Sequence, residues 1–390
     1  MKILILNPIL YTADNNTIPK VRSIKDTMIY NMCLGFKALG HEVTLAAAAD
    51  YMPVEQEDYD FKVMWFKTYC HKFCPPSVLP YSKELKSFLQ KKGNGFDMIV
   101  TSEVFSLWSL MSARICPAKT VIWHELALHP SKFHHIPSKV WYNIVARLLM
   151  NKVLVVPRSE DAKLFVKQYM CHVSNVCVEH GIDLSQFTCG MEKKKQFIVV
   201  SQLIARKNID GIIRIFKNFL DKYDKAYQLL IVGRGELESE LKHLAQQLNI
   251  ESHVKFLGFK SHEEMNEFLP SSQALLINTR QDNNMVSIPE SVVCGTPVIT
   301  NSVPTNSGMI AKNHLGIVKD HWNEDTLQEL LRFTPPYWQN CIQYREKLSS
   351  QHQASLLVEQ YLKFSAHEDI STESDTVHKY RRKSSKGGDD

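Results

Sequence analysis

A chain of 390 residues, 44% of them hydrophobic, exceeds what one core usually supports, so two domains with a cleft between them are expected. Its formal net charge of +5 comes with no nucleic-acid-binding module and no basic stripe, which excludes nucleic acid as the natural partner. No run of about 18 apolar residues occurs, and nine scattered cysteines fit a reducing compartment better than a disulfide framework, so a cytoplasmic protein is expected.

Short apolar runs alternate with segments of helical period along the whole chain, the pattern of parallel strands joined by crossover helices. The opening Ile3 to Leu6 is broken by Asn7-Pro8, too early for a signal-peptide core, and reads as a first buried strand. Ile29, Met32, Cys33, Phe36 and Leu39 mark a helix closed by Gly40, and strands follow at Val43 to Ala46, Met98 to Thr101, Thr120 to Trp123 and Val153 to Val156. The excess of charge falls in this half, where residues 1 to 190 hold 21 Lys and Arg against 16 Asp and Glu. Lys67, Lys72, Lys83, Lys86, Lys91 and Lys92 lie among Tyr69, Phe73 and Tyr81, and Lys132, Lys139 and Arg147 among Phe133, Trp141 and Tyr142. Such mixtures suit an anionic membrane surface or, equally, a solvated face with its aromatics turned inward.

The segment Asn175 to Phe187, with its His180-Gly181-Ile182-Asp183 turn, is read as the interdomain linker. A second doubly wound unit restarts at Phe197 to Ser201, with a helix whose apolar face is Ile209, Ile212, Ile213, Phe216, Phe219 and Leu220. Strands are expected at Leu229 to Val232, Val254 to Leu257, Ala274 to Ile277 and Val298 to Thr300. A last amphipathic stretch, 337 to 364, has no strand after it and is expected to pack across both domains, and the polar 365 to 390 reads as a disordered tail. The domains expected are therefore 1–187, 188–336, the crossing helix 337–364 and the tail.

The most informative stretch runs from Asn278 to Ile299. Asn283 or Asn284 can cap a helix, Pro289 suits its first turn, and Gly295 ends it before Pro297 opens the next strand. The amides of Met285, Val286 and Ser287 would then be free to hold a diphosphate without metal, Glu290 could accept hydrogen bonds from ribose hydroxyls, and Asp282 from sugar hydroxyls. Upstream, Arg206-Lys207 follows a strand. Gly233-Arg234-Gly235 follows another and permits close backbone approach to a nucleotide, a weak signal by itself. His124 stands at the C-terminal end of a strand, where ligands gather in open α/β sheets. Cys70, His71 and Cys74 lack the remaining ligands of a zinc site, and Asp58-Tyr59-Asp60 reads as a solvated turn.

These stretches together resemble retaining glycosyltransferase family 4, also called glycosyl transferases group 1. Two acids flanking seven residues, Asp282 and Glu290, precede Gly295-Thr296-Pro297-Val298; the first is Asp where the family usually has Glu, and Gln202 stands where it usually has Arg. The resemblance implies an α/β GT-B fold: two doubly wound Rossmann-like domains facing a cleft, with the C-terminal helix packing back across both. It implies a retaining, metal-independent transferase moving a sugar from a nucleotide-diphosphate-sugar to a hydroxyl of a lipid-linked or growing cell-surface glycan. By the resemblance His124, Lys207, Asp282 and Glu290 would be catalytic, with His124 bonding the donor sugar. Arg206, Lys207, Gly233, Arg234, Asn284, Met285, Val286, Ser287 and Glu290 would bind the donor, and Asn15 and Asn16 would lie on the acceptor side. No cofactor or metal is implied, and the basic first domain agrees with peripheral contact on the inner face of the cytoplasmic membrane. The alternatives are a nucleotide-sugar epimerase of the same architecture and a non-catalytic nucleotide-sugar-binding protein.

Overall fold

The structure, a computed structural model, describes residues 1–10, 23–53, 57–71, 74, 79–130, 135–282, 285–333 and 336–366. Asn15, Asn16, Asn284, the tail beyond 366 and part of the basic segments, Lys72, Phe73, Lys132 and Phe133 among them, lie outside these residues. The chain divides into two compact units, one of Met1–Gly181 with the chain from Ser350 onward, the other Ile182–Ser349.

The first unit is built on six parallel strands: β1 (Lys2–Leu6), β2 (Glu42–Ala48), β3 (Lys62–Phe66), β4 (Met98–Ser102), β5 (Thr120–His124) and β6 (Leu154–Pro157). Their order across the sheet is β3-β2-β1-β4-β5-β6. The second unit repeats the plan with β7 (Gln196–Val200), β8 (Gln228–Val232), β9 (Val254–Gly258), β10 (Leu275–Leu276), β11 (Val298–Thr300) and β12 (Gly316–Val318). Their order, β12-β11-β10-β7-β8-β9, is the same pattern read from the other edge. Parallel neighbours need crossovers, which cover both sheet faces and make the central strands continuously apolar. β1 shows this directly, since Ile3 and Ile5 enter one core while Leu4 and Leu6 enter the core on the other face. Phe197 and Val199 do the same opposite Ile198 in β7. Full burial of each such side chain contributes roughly 1.5–3 kcal/mol.

The helix Met28–Ala38 ends at Gly40, whose φ of +79° completes a left-handed stop. The helix Ile209–Lys222 buries all six residues its spacing predicted. Two edge strands, β3 and β12, escaped the sequence reading: the first stands among charged and aromatic residues with a half-exposed face, the second is three residues long. The segment 337–364 comprises helix Tyr337–Tyr344, a 3-10 turn Arg345–Leu348 and, after Ser349, a helix over 350–366. The first two belong to the second unit and the last to the first unit, where Tyr361 Oη donates to the Asp97 carbonyl at 2.7 Å.

Helix 350–366 approaches the first unit so closely that two glycines become obligatory. A β-carbon on Gly35 would stand 2.2 Å from the Ser350 carbonyl oxygen, and one on Gly181 2.4 Å from Ser350 Cα. Gly35→Ala should therefore lower stability by about 1–3 kcal/mol through overpacking, despite the helix-favouring change. Gly308→Ala, in a helix with open space at that position, should be neutral or stabilising by up to about 1 kcal/mol. Thermal melting of the two variants checks the contrast, and equal effects would show that the close approach carries no energetic weight.

Candidate functional site

In sheets of this order, chain connections leave in opposite directions from the two central strands, opening a crevice at their carboxyl ends. In the second unit that crevice lies between β7 and β10, and the loops that follow those strands hold most of the predicted donor-side residues. Hydrogen bonds stitch the two loops together. The Arg280 N–H donates to the Arg206 carbonyl at 2.7 Å and Thr279 Oγ1 to the same oxygen at 3.1 Å. Arg280 then spans the other loop, donating to the Ala205 carbonyl and to Asn208 Oδ1 at 2.8 and 2.7 Å. Asn208 adopts left-handed φ 52°, ψ 42°, turning the chain from the 3-10 segment Ala205–Lys207 into the following helix.

This frame aims Lys207 and Arg206 at one carboxylate. Lys207 Nζ donates to Asp282 Oδ2, and Arg206 Nη1 lies 3.4 Å from Asp282 Oδ1. The Lys207 and Asp282 side chains are 10% and 13% exposed, so the pair sits in a shielded setting where unpaired charge is costly. Lys207, Arg206 and Asp282 are thus brought together. Gly233 joins them from β8, but for a reason internal to the fold: at φ +135° its β-carbon would stand 1.8 Å from the Ser201 carbonyl oxygen. Gly235 is likewise pressed on the Leu203 carbonyl. These glycines allow the loop after β7 to lie on the loop after β8, while Arg234 is exposed between them.

The short helix Ser287–Val293 is buried at every position. The expectation of three free amides before it needs correction at one position, because the Met285 N–H donates to Asn306 Oδ1 at 3.2 Å and Asn306 Nδ2 returns a bond to the Met285 carbonyl at 2.9 Å. Asn306 is a site-shaping residue with no sequence motif of its own. Val286 is 38% exposed and Ser287 buried. Glu290, 9% exposed, has His262 Nε2 3.2 Å from its Oε1. The imidazole is set by Gln186 Oε1 at 3.2 Å and the Phe187 ring. His262 too was missed, since it begins a helix distant in sequence.

The strand-end site of the first unit is a compact set of charges. His124 Nδ1 lies 2.8 Å from Glu103 Oε2, and Glu103, at φ +68°, also accepts from the Glu125 and Leu126 amides at 2.9 and 3.3 Å. The left-handed backbone of a non-glycine residue here is repaid by that three-bonded carboxylate. The His124 ring is fully buried, stacked on Phe165 and edge-on to Tyr142. Its Nε2 has no hydrogen-bond partner among the described residues. In this conformation the ring faces an aromatic core rather than solvent, so reaching a sugar requires it to turn. Beside it, Arg158 donates to Glu125 at 2.7 Å and stacks 3.7 Å above Trp123, with His180 Nε2 3.6 Å from Glu125. Among the described residues, no group of three His, Cys, Asp or Glu side chains is placed to hold a metal ion.

Residues 186–334 match the family model of glycosyl transferases group 1. The chain is 24% identical over 217 residues to alpha-monoglucosyldiacylglycerol synthase of Streptococcus pneumoniae, covering 51% of this chain and 49% of that one. It is 30% identical over 140 residues to a GDP-mannose-dependent monoacylated alpha-(1-6)-phosphatidylinositol monomannoside mannosyltransferase of Corynebacterium glutamicum, covering 34% and 35%. The matched segments thus span half or less of these relatives. The solved structure of the lipopolysaccharide outer core galactosyltransferase WaaB superposes with a TM-score of 0.64 at 14% identity, over 93% of this chain and 99% of that one.

Burial pushes the Glu125 carboxyl up, yet His180 and Arg158 beside it outweigh this and hold it at about 2, below its ordinary 4.5. The folded state favours the carboxylate, so the stabilisation is present above about 4.5 and drains away as the pH falls towards about 2. Glu125→Gln should lower stability at neutral pH and flatten the acid limb of the curve; chemical denaturation across pH reads both, and parallel curves for the two proteins would refute the pairing. Two six-stranded parallel sheets of one strand order give the chain the GT-B fold of its solved neighbours, and within it residues 186–334 carry the match to glycosyl transferases group 1.

Proposed function

We propose that the protein is a retaining, metal-independent glycosyltransferase. It moves a sugar from a nucleotide-diphosphate-sugar to a hydroxyl of a lipid-linked or growing cell-surface glycan, working at the inner face of the cytoplasmic membrane. The observation that carries this reading is the convergence of Lys207 and Arg206 on a single anionic position at the switch point of the second sheet. A pair of cations in a shielded crevice is what a departing diphosphate requires. The names of the similar proteins, a diacylglycerol glucoside synthase, a phosphatidylinositol mannoside mannosyltransferase and a lipopolysaccharide galactosyltransferase, support a lipid-bearing acceptor.

The step balances without a cofactor. The bond from the sugar's anomeric carbon to the phosphate oxygen breaks, the acceptor oxygen bonds to that carbon on the same face, and the acceptor proton passes to the departing phosphate oxygen. Lys207 and Arg206 neutralise the charge that develops there. Asp282 holds both cations in the absence of donor, so the diphosphate takes its place and leaves its carboxylate free for sugar hydroxyls. Glu290, buried and facing one imidazole, is set to accept from ribose hydroxyls. His124 acts at the sugar once its ring leaves Phe165.

Lys207→Ala and Glu290→Ala should each reduce transfer by about a hundredfold or more while the protein stays folded, as measured by product formation over a panel of nucleotide-sugars. Near-normal turnover in either variant overturns the assignment, and full activity in chelator tests the absence of a metal requirement. Asp282→Asn should bind nucleoside diphosphates about tenfold more tightly, since the internal competitor for Lys207 is gone, and yet transfer poorly. Calorimetric titration showing equal or weaker binding would remove Asp282 from the role of resident anion.

A further inference from the structure

The helical segment after β5 is apolar on its outer side as well as its inner one. It runs through helix Ile136–Val140, a π-helical turn Trp141–Ala146 and helix Arg147–Leu149. Its inner side is fixed by Ser138, Trp141, Tyr142, Ala146 and Met150, all buried. The two described aromatics of this basic stretch, Trp141 and Tyr142, therefore face the core. The outer side is nonetheless apolar: Ile136, Val140, Ile144 and Leu148 are 60%, 49%, 53% and 68% exposed.

Residues four apart on a plain α-helix drift by about 40° per step, and a stripe of four would wind away from a flat surface. The wider π turn at the middle of this segment opposes that drift, so the four side chains stay on one line. A soluble helix normally turns such a stripe inward; single exposed apolar residues need no explanation, but an aligned row of them marks a contact surface.

The charge around the row decides what it contacts. Between Leu126 and Ser159 the sequence contains no Asp or Glu and five Lys or Arg, of which Lys139, Arg147 and Lys152 are exposed along this segment. A partner protein or second copy would place acidic or neutral residues against the row, and the aliphatic outer face flanked by basic side chains instead fits the boundary between acyl chains and anionic headgroups. No helix among the described residues is long and apolar enough to cross a membrane, so the contact would lie in the plane of the surface. We infer that Ile136, Val140, Ile144 and Leu148, flanked by Lys139 and Lys152, form an in-plane docking element for an anionic lipid surface. The inference deepens the peripheral-membrane part of the proposed function and is independent of sugar transfer.

The full chain should co-sediment with vesicles of phosphatidylcholine carrying about one third phosphatidylglycerol and much less with phosphatidylcholine alone. Val140→Ser, Ile144→Ser and Leu148→Ser combined should cut that partition by about tenfold or more with an unchanged melting temperature, because all three side chains are already exposed. Lys139→Glu with Lys152→Glu should weaken binding and flatten its salt dependence. A Leu148→Trp variant should show a blue-shifted emission on anionic vesicles. Wild-type-like partition of the triple variant, or no vesicle binding by the wild type, overturns the inference, as does a dimer that the triple variant dissolves without any vesicle binding. Vesicle binding that follows this pattern in a chain inactive on every nucleotide-sugar would sink the transferase reading and leave the docking element standing; transfer to a water-soluble acceptor with no vesicle binding would do the reverse.

Discussion

Parallel strands cannot be joined by a tight turn, and nearly everything in this protein follows from that restriction. Each strand must be followed by a crossover that carries the chain back to the start of its neighbour, and the crossovers must alternate faces if both sides of the sheet are to be buried. Where the winding reverses, between β1 and β4 and between β7 and β10, two loops leave in opposite directions at the strand ends. Arg206, Lys207 and Asp282 stand at such a place in the second unit. One backbone bond and side-chain bonds from Thr279 and Arg280 tie loop 201–208 to loop 278–282 there.

Electrostatics then explains why the predicted charges are not found as lone charges waiting for substrate. Two cations held close in a shielded crevice repel each other and lose hydration, and Asp282 relieves both at once. The same logic rules the first unit, where Glu103 and Glu125 are matched by His124, Arg158 and His180. A carboxylate that accepts from an imidazole and two backbone amides is worth a left-handed backbone at Glu103. Segment 136–149 is apolar on both sides: Trp141 and Tyr142 are buried, while Ile136, Val140, Ile144 and Leu148 face solvent.

Much of the second unit could be read in the sequence because its signals are local. The apolar face of helix Ile209–Lys222 repeats at helical spacing, Gly295 stops a helix with positive φ as Gly40 does in the first unit, and the segment from Ser287 to Val298 keeps helix, stop and the start of a strand within one run. β3 and β12 were not legible because an edge strand buries only part of itself and needs no long apolar run. His262, Asn306 and Glu103 left no signal for a different reason. Each acts on a partner well removed along the chain, 28, 21 and 21 residues away, and no periodicity records such a pairing.

The amino-acid order by itself settled the alternation of strand and helix and its repetition as two doubly wound halves, since those depend on hydrophobic period and turn residues. Folding alone decided which charges meet. It set Lys207 against Asp282, closed the Met285 amide with Asn306, and turned His124 into an aromatic core. It also left Val140, Ile144 and Leu148 facing outward while Trp141 and Tyr142 went in, because which side of a helix is buried is fixed by the surface it packs against, and that surface is assembled from residues far away in the chain.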